Sequence, residues 1–442
     1  MATNTWSAAA NGVWSADGNW SLGHAPLAAE DIVFDITSVK NCTVDVSSSV
    51  ASLTISVAYT GVWDMTGYAM TVAGDMSDHG ITGVHTYGNG FIFNGASAAV
   101  EFHPGNGAAV CTNAILTFNG TTAPTLAINN NMASTNPFKQ IVLGAGAKLT
   151  LTSGSSMYLK GPAPLVVAPV GTTFTVNTPL DIVVTTAGDL WNIDGTFNGS
   201  ATHTPKIGAS SITVNVPATA YTGTGMITFS FDTAARTNST WLWTGNMSWG
   251  SGVGCTVNVA GSGAGTIVDF NNYNVTTTST TGIMIGTTNT TLAVFMRSGT
   301  FTAPGVFRVY DYAGNTVNFN DSIVNLSSSA GIGSDYLTFG TLVTVNAGNG
   351  IITLTPTGSG ASITSGGKAL PTIRINASGK VVTLAGNLIC TNLIVYAGTL
   401  NYNGKTLTTT IKNVSQSVNV PLSPVTVSTC INLQPCPLVS MR

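Results

Sequence analysis

From residue 50 onward the chain repeats one pattern. Apolar residues alternate with Thr, Ser or another small residue over three to five positions, and each run stops at Gly, Asn or Ser. Ser52-Leu-Thr-Ile55, Ala69-Met-Thr-Val72, Ile115-Leu-Thr-Phe118, Thr125-Leu-Ala-Ile128, Leu149-Thr-Leu151 and Phe174-Thr-Val176 are examples, and Ile351-Ile-Thr-Leu354 and Val381-Val-Thr-Leu384 continue it. Alternation with period two predicts strands buried on one face. The runs recur at about 8–12 residues, the spacing of serial strands joined by tight corners. Three strands with their corners make a rung of roughly 20–30 residues, the size of one solenoid repeat. The clearest echo is Ser52–Gly61 followed by Tyr68–Val72, matched late in the chain by Asn392–Gly398 followed by Asn403–Leu407. Helical periodicity does not survive the Gly and β-branched content.

The expectation is therefore an all-β chain, a parallel β-helix or solenoid. Tandem sandwiches or a jelly roll compete with it, but those folds show longer strands and more charged outer faces. Two regions break the repeat. Residues 1–40 are rich in aromatic and acidic side chains, with Trp6, Trp14 and Trp20, and read as an N-terminal cap or interface. Residues 415–442 contain Pro421, Pro424, Pro435 and Pro437 and read as an extended C-terminal tail. Between them, 41–414 forms the solenoid, with a subdivision near 205.

Composition narrows the function classes. Only 7% of the 442 residues are charged and 50 are Gly, yet 43% are hydrophobic and the mean hydropathy is +0.31. A disordered chain combines low hydrophobicity with high charge, so this one is expected to fold. A net charge of −3 gives no electrostatic reason for binding nucleic acid or an anionic membrane. The charge is uneven: up to Glu101 there are nine acids and a single base, Lys40. Opposite-signed regions favour ordered stacking or docking. No run reaches the ~20 apolar residues of a membrane span, and Met1–Trp6 has no Sec-type signal pattern.

The segment Trp14-Ser-Ala-Asp-Gly-Asn-Trp20-Ser-Leu-Gly-His24-Ala-Pro26, continuing through Glu30-Asp31-Ile-Val-Phe34-Asp35, resembles the opening of many parallel β-helix proteins. These include autotransporter-type passenger domains and structural proteins of tailed phages. Asn41–Asp45 and Ser52–Ile55 look like the first rungs after that opening. The resemblance implies architecture: aromatic plugs on a cap, Pro26 fixing the approach, and Asp31 and Asp35 flanking the first strand. An autotransporter carries an export signal and a C-terminal membrane barrel, and neither pattern is seen here. The expected function is a non-enzymatic structural protein on the exterior of a phage virion, either capsid decoration or a fibre-like component. Its expected partners are other virion proteins and further copies of itself, a trimer being one arrangement. Two alternatives stand beside it: a tailspike that binds or cleaves host-surface glycan, and a bacterial adhesin or extracellular filament subunit.

Candidate chemistry is sparse. Glycoside cleavage needs two carboxyls about 5–10 Å apart, and the best cluster is Asp181, Asp189 and Asp194 beside Trp191, where a ring could stack on a sugar. Capping aspartates beside a packing Trp are the plainer explanation. Arg308-Val-Tyr-Asp311 is the nearest approach to a lyase base with its carboxylate. Trp241, Trp243 and Trp249 form a second aromatic cluster, read as a subunit contact, a glycan platform or one face of a core. Asp75-Met-Ser-Asp78-His79 reads as a solvated polar corner or a weak cation site. The five histidines, His24, His79, His85, His103 and His203, show no paired metal spacing, so neither a metal nor another cofactor is expected. Of the six cysteines, only Cys430 and Cys436 lie close enough in sequence to invite a disulfide; the rest read as buried thiols.

Overall fold

The computed structural model describes residues 1–414 apart from 81–82, 103–108, 123, 129–135, 153–155, 202, 224–226, 232–235, 250–254, 258–264, 279–281, 286–291, 312, 328–335 and 359. The expected tail, 415–442, with Cys430 and Cys436, lies outside the described residues. The fold is a parallel β-solenoid of about 14 rungs. Among the described residues the sole helical element is one 3-10 turn, Asp17–Asn19. The chain divides into two units, residues 1–206 with 221–225, and residues 207–220 with 226–442.

In the first unit each rung contributes a strand to each of three faces. The first face stacks Ala2–Thr5, Glu30–Phe34, Ser52–Ile55, Met76–Asp78, Ala99–Phe102 and Thr125–Ile128, every pairing parallel. Its register runs Ile32, Leu53, Met76, Val100, Leu126, so equivalent positions recur every 21 to 26 residues. All five side chains are buried, and each fully buried aliphatic residue contributes roughly 1.5–3 kcal/mol from leaving water. The second face begins Gly12–Val13, Cys42–Thr43, Trp63–Asp64 and His85–Thr86. The third includes Ala69–Val72, Gly90–Phe93 and Ile115–Phe118. At Gly90 the backbone takes φ +102°, and a Cβ there would fall onto the backbone of Ile115; no other residue fits the corner without displacing the next rung.

The break expected at residue 40 is softer than the composition suggests. Ala2–Thr5 and Gly12–Val13 already pair with the strands of the following rung. Only the stretch around Trp14–Ala29 departs from the repeat, because it must cover the end of the core. Trp6, Trp14 and Trp20 are each at most 3% exposed. Trp20 meets Trp6 edge-on at 5.1 Å and Trp14 at 4.9 Å, and all three close on Phe34. Trp6 Nε1 donates to Lys40 O and Trp20 Nε1 to Trp14 O, leaving neither indole N–H bare. These three residues plug the end from inside and do not offer an interface.

The second unit repeats the plan. Its stacked strands include Thr300–Ala303, Ile323–Leu326 and Ile351–Leu354 on one face and Phe307–Val309 and Leu337–Phe339 on another. Thr240–Trp243, Ile267–Asp269, Ala293–Phe295 and Thr316–Asn318 make the third. Asn238, Asn271, Asn320 and Asn403 hold corners at φ between 48° and 53°, a left-handed conformation that Asn tolerates better than other side chains carrying a Cβ. The last strands lengthen to Thr372–Leu384, Leu388–Asn401 and Leu407–Val414. The first two pair through register shifts around Asn376, so these strands carry the sheet around a corner without ending.

Candidate functional site

A concave surface lies on the outer side of the first unit's first face. It is a groove of about 790 Å³ lined by Asp31, Ser52, Thr54, Asp75, Ser77 and Glu101, among others. Register explains its chemistry. One outward column runs Val33, Thr54, Ser77, Glu101, Ala127. The other carries Asp31 against Ser52, then Asp75, then Ala99 against Thr125. Strands stack about 4.8 Å apart and rise about 3.3 Å per residue, placing the backbones of Asp75 and Glu101 roughly 8 Å apart. Each carboxylate already serves the fold. Asp31 accepts Ser52 Oγ–H at 2.7 Å, Asp75 accepts the Ala99 N–H at 2.8 Å, and Glu101 lies 3.2 Å from His79 Nε2. None of the groove's lining residues is Lys or Arg.

Beneath the groove is a polar cluster that sequence reasoning missed. Asp78 is not a solvated corner: it takes the inward position in the column Phe34, Ile55, Asp78, Phe102, Ile128 and is fully buried. Its carboxylate accepts from the Gly80 N–H at 3.0 Å, Tyr87 Oη–H at 2.7 Å and His85 Nδ1–H at 2.7 Å. Three donors compensate an otherwise prohibitive desolvation of charge. The buried Tyr87 hydroxyl is pushed well above the ordinary tyrosine range by burial, with the Asp78 charge acting in the same direction. The His85 ring is 2% exposed, and its Nε2 has no hydrogen-bond partner among the described residues. The legible signal was parity: Met76-Ser-Asp78 and His85-Thr-Tyr87 alternate in step with the apolar neighbours that share their register.

The residues singled out for glycan chemistry do not assemble. Asp181 lies on Leu180–Val184, Asp189 on Gly188–Asp189, and Asp194 follows Asn192–Ile193; these strands belong to three different sheets. Asp181 is ion-paired with Lys206 at 3.0 Å, while Asp189 and Asp194 are exposed. Trp191 is fully buried and meets Phe197 edge-on at 5.9 Å. Its ring faces are therefore closed to a sugar.

The same correction applies to the second aromatic cluster. Trp241 and Trp243 are fully buried on one side of Thr240–Trp243. Trp241 Nε1 donates to Ser230 O, and Trp243 packs 4.3 Å from Phe270. They form core, not a platform or a subunit contact; the Trp249 side chain lies outside the described residues. Asp311 is fixed by the Leu342 N–H, and its carboxyl is held below the usual carboxylate range by that bond first, then by Thr341. It is a corner cap, its carboxylate engaged by the backbone and hydroxyl of the Thr341–Leu342 segment.

Cys42, Cys111 and Cys390 are buried free thiols. Burial raises all three, Cys390 to about 11, so they remain protonated and poorly nucleophilic. Among the described residues no three His, Cys, Asp or Glu side chains are grouped to hold a metal ion, and no helix is long and apolar enough to cross a membrane. No protein-family model, curated protein or solved structure matches the chain. What its own geometry establishes is an all-β parallel solenoid closed at its first rung by an aromatic cluster.

Proposed function

We propose that this chain is a non-enzymatic structural protein, a stiff β-solenoid displayed on the exterior of a tailed-phage particle as decoration or a fibre-like component. The observation that carries the reading is how the polar side chains are used. Asp45 accepts the backbone and hydroxyl donors of Ser15, 30 residues away. Asp321 accepts Asn349 Nδ2–H, Asn94 accepts Asn119, and Asn318 accepts Asn346. Arg297 grips Asp269 with Nε and Nη2 across 28 residues. Each bond ties one rung to the next, from a corner or a strand end, so groups that could perform chemistry hold rungs together. The cap motif supports the placement, since the residues that resemble the openings of phage β-helix proteins fold here as the plug over the core.

The test is quantitative mass spectrometry of density-purified particles from the producing culture, with copy number set against the major capsid protein. Hundreds of copies per particle support a lattice decoration, and a few to tens support a tail or fibre component. Recovery with the cell envelope and absence from particles would overturn the proposal in favour of an adhesin.

A further inference from the structure

The charges of this chain are segregated by rung, and the acidic set lines a concave face. Asp31, Asp75 and Glu101 line the groove of the first unit together with Met1; the three acidic side chains are half-buried to exposed, and Glu101 lies 3.2 Å from His79 Nε2. The opposite sign collects in the second unit. After Asp335 the sequence contains no further acid, and every charged residue is a base: Lys368, Arg374, Lys380, Lys405, Lys412 and Arg442. Lys368 is drawn toward Asp311, lowering that carboxyl. Arg374 and Lys380 share the strand Thr372–Leu384, and Lys405 closes the corner that begins at Tyr402. None of these three has an ion-pair partner among the described residues, and Arg374 Nε is buried without a hydrogen bond there.

We infer that the acidic groove of the first unit receives the basic final rungs of the second unit from another copy of the same chain. Charge complementarity selects the occupant: a groove with three carboxylates and no Lys or Arg meets a segment with bases and no acid. The two surfaces are different, so the contact is heterologous, and an unclosed heterologous contact adds copies without limit. Exposed charges act through solvent and are screened by salt, so the contact should be reversible and steeply salt-dependent. The inference does not depend on particle location. Association of the purified chain can fail while particle incorporation succeeds, and the reverse.

Sedimentation velocity on the full chain tests it. At about 0.01 M salt, where the Debye length is about 30 Å, species should grow with concentration and not stop at a dimer. At about 1 M, where it is about 3 Å, the chain should sediment as a monomer. The charge-reversed triples Asp31→Lys/Asp75→Lys/Glu101→Lys and Arg374→Glu/Lys380→Glu/Lys405→Glu should each lose self-association at low salt. Mixing the two should restore it, because each supplies the sign the other lacks, and restoration also shows that both fold. A monomer at low salt across all concentrations overturns the inference. So do association that is indifferent to salt or to the reversals, a closed assembly of fixed size, and failure of the mixture to recover. Binding of poly-lysine by a chain that does not self-associate would likewise overturn it and assign the groove to a different basic partner.

Discussion

His203 provides a sharp test of how strongly this core excludes water. It starts the strand His203–Ile207 and is fully buried between Phe197 and Tyr221, whose ring centroids lie 5.5 and 5.3 Å away. Tyr221 Oη–H donates to Gly199 O, so the hydroxyl oxygen is left to accept from His203 Nε2–H at 3.2 Å. Nδ1 has no partner among the described residues, and a proton placed there would be buried without an acceptor. Burial accordingly lowers the imidazole from 6.5 to about 4. A base whose folded value lies below its unfolded value binds protons preferentially when unfolded. Its contribution to stability is intact above about pH 6.5 and is lost as the pH falls toward 4. A gap of this size corresponds to about 3 kcal/mol at pH 4. Urea unfolding of the wild type and His203→Gln, compared at pH 7 and pH 4 by tryptophan fluorescence, isolates the term because other titrating groups cancel between the two proteins. The wild type should lose about 3 kcal/mol more than the variant over that interval. Equal losses, or an NMR titration of the His203 ring centred near 6.5, would refute the reasoning.

Asp78→Ala strands the buried His85 and Tyr87 donors and should cost about 3–5 kcal/mol in denaturant unfolding, whereas Tyr87→Phe, which removes one of three donors, should cost about 1–3 kcal/mol; equal, near-zero effects would mean that the cluster is hydrated. Trp20→Ala should destabilise the first unit by about 3–5 kcal/mol, while Leu22→Ala, at a residue 44% exposed, should stay within about 0.5 kcal/mol. The thiols of Cys42, Cys111 and Cys390 should resist Ellman's reagent in the native protein and react on unfolding, with peptide mapping assigning each site; rapid native labelling of any of the three would contradict its burial.

The solenoid was legible in the sequence because alternation, corner residues and repeat length all report local geometry, and the rung size agrees at Ile32, Leu53, Met76 and Val100. The aromatic plug was legible for the same reason, since three Trp beside one strand have few other uses. The plainer reading of Trp191 as a packing residue holds, and the aspartates beside it show that proximity in sequence is a poor guide to proximity in a solenoid. Asp181, Asp189 and Asp194 span a few corners of one rung and end on different sheets, whereas Asp75 and Glu101, a full rung apart, line one groove. Trp241 and Trp243 were weighed by residue type when parity within the strand Thr240–Trp243 decides which way they point. Asp78 shows the converse: its polarity suggested solvent, but its register position is inward, and its three donors come from residues whose placement follows only once the rungs are stacked.

The constancy of register from Asp31 to Ala127 turns chain length into a measure of distance. Each rung advances the first unit by about 4.8 Å, and Met76 and Val100 occupy equivalent positions. Excising Met76–Ala99 would therefore bring Val100 to the place of Met76 with inward and outward sides preserved. A change of one residue inside a strand would instead reverse every side chain up to the next corner. Gain or loss of whole rungs is the mutational step the first unit accommodates, which makes that stack a ruler whose length can be edited without redesigning the plug that closes it.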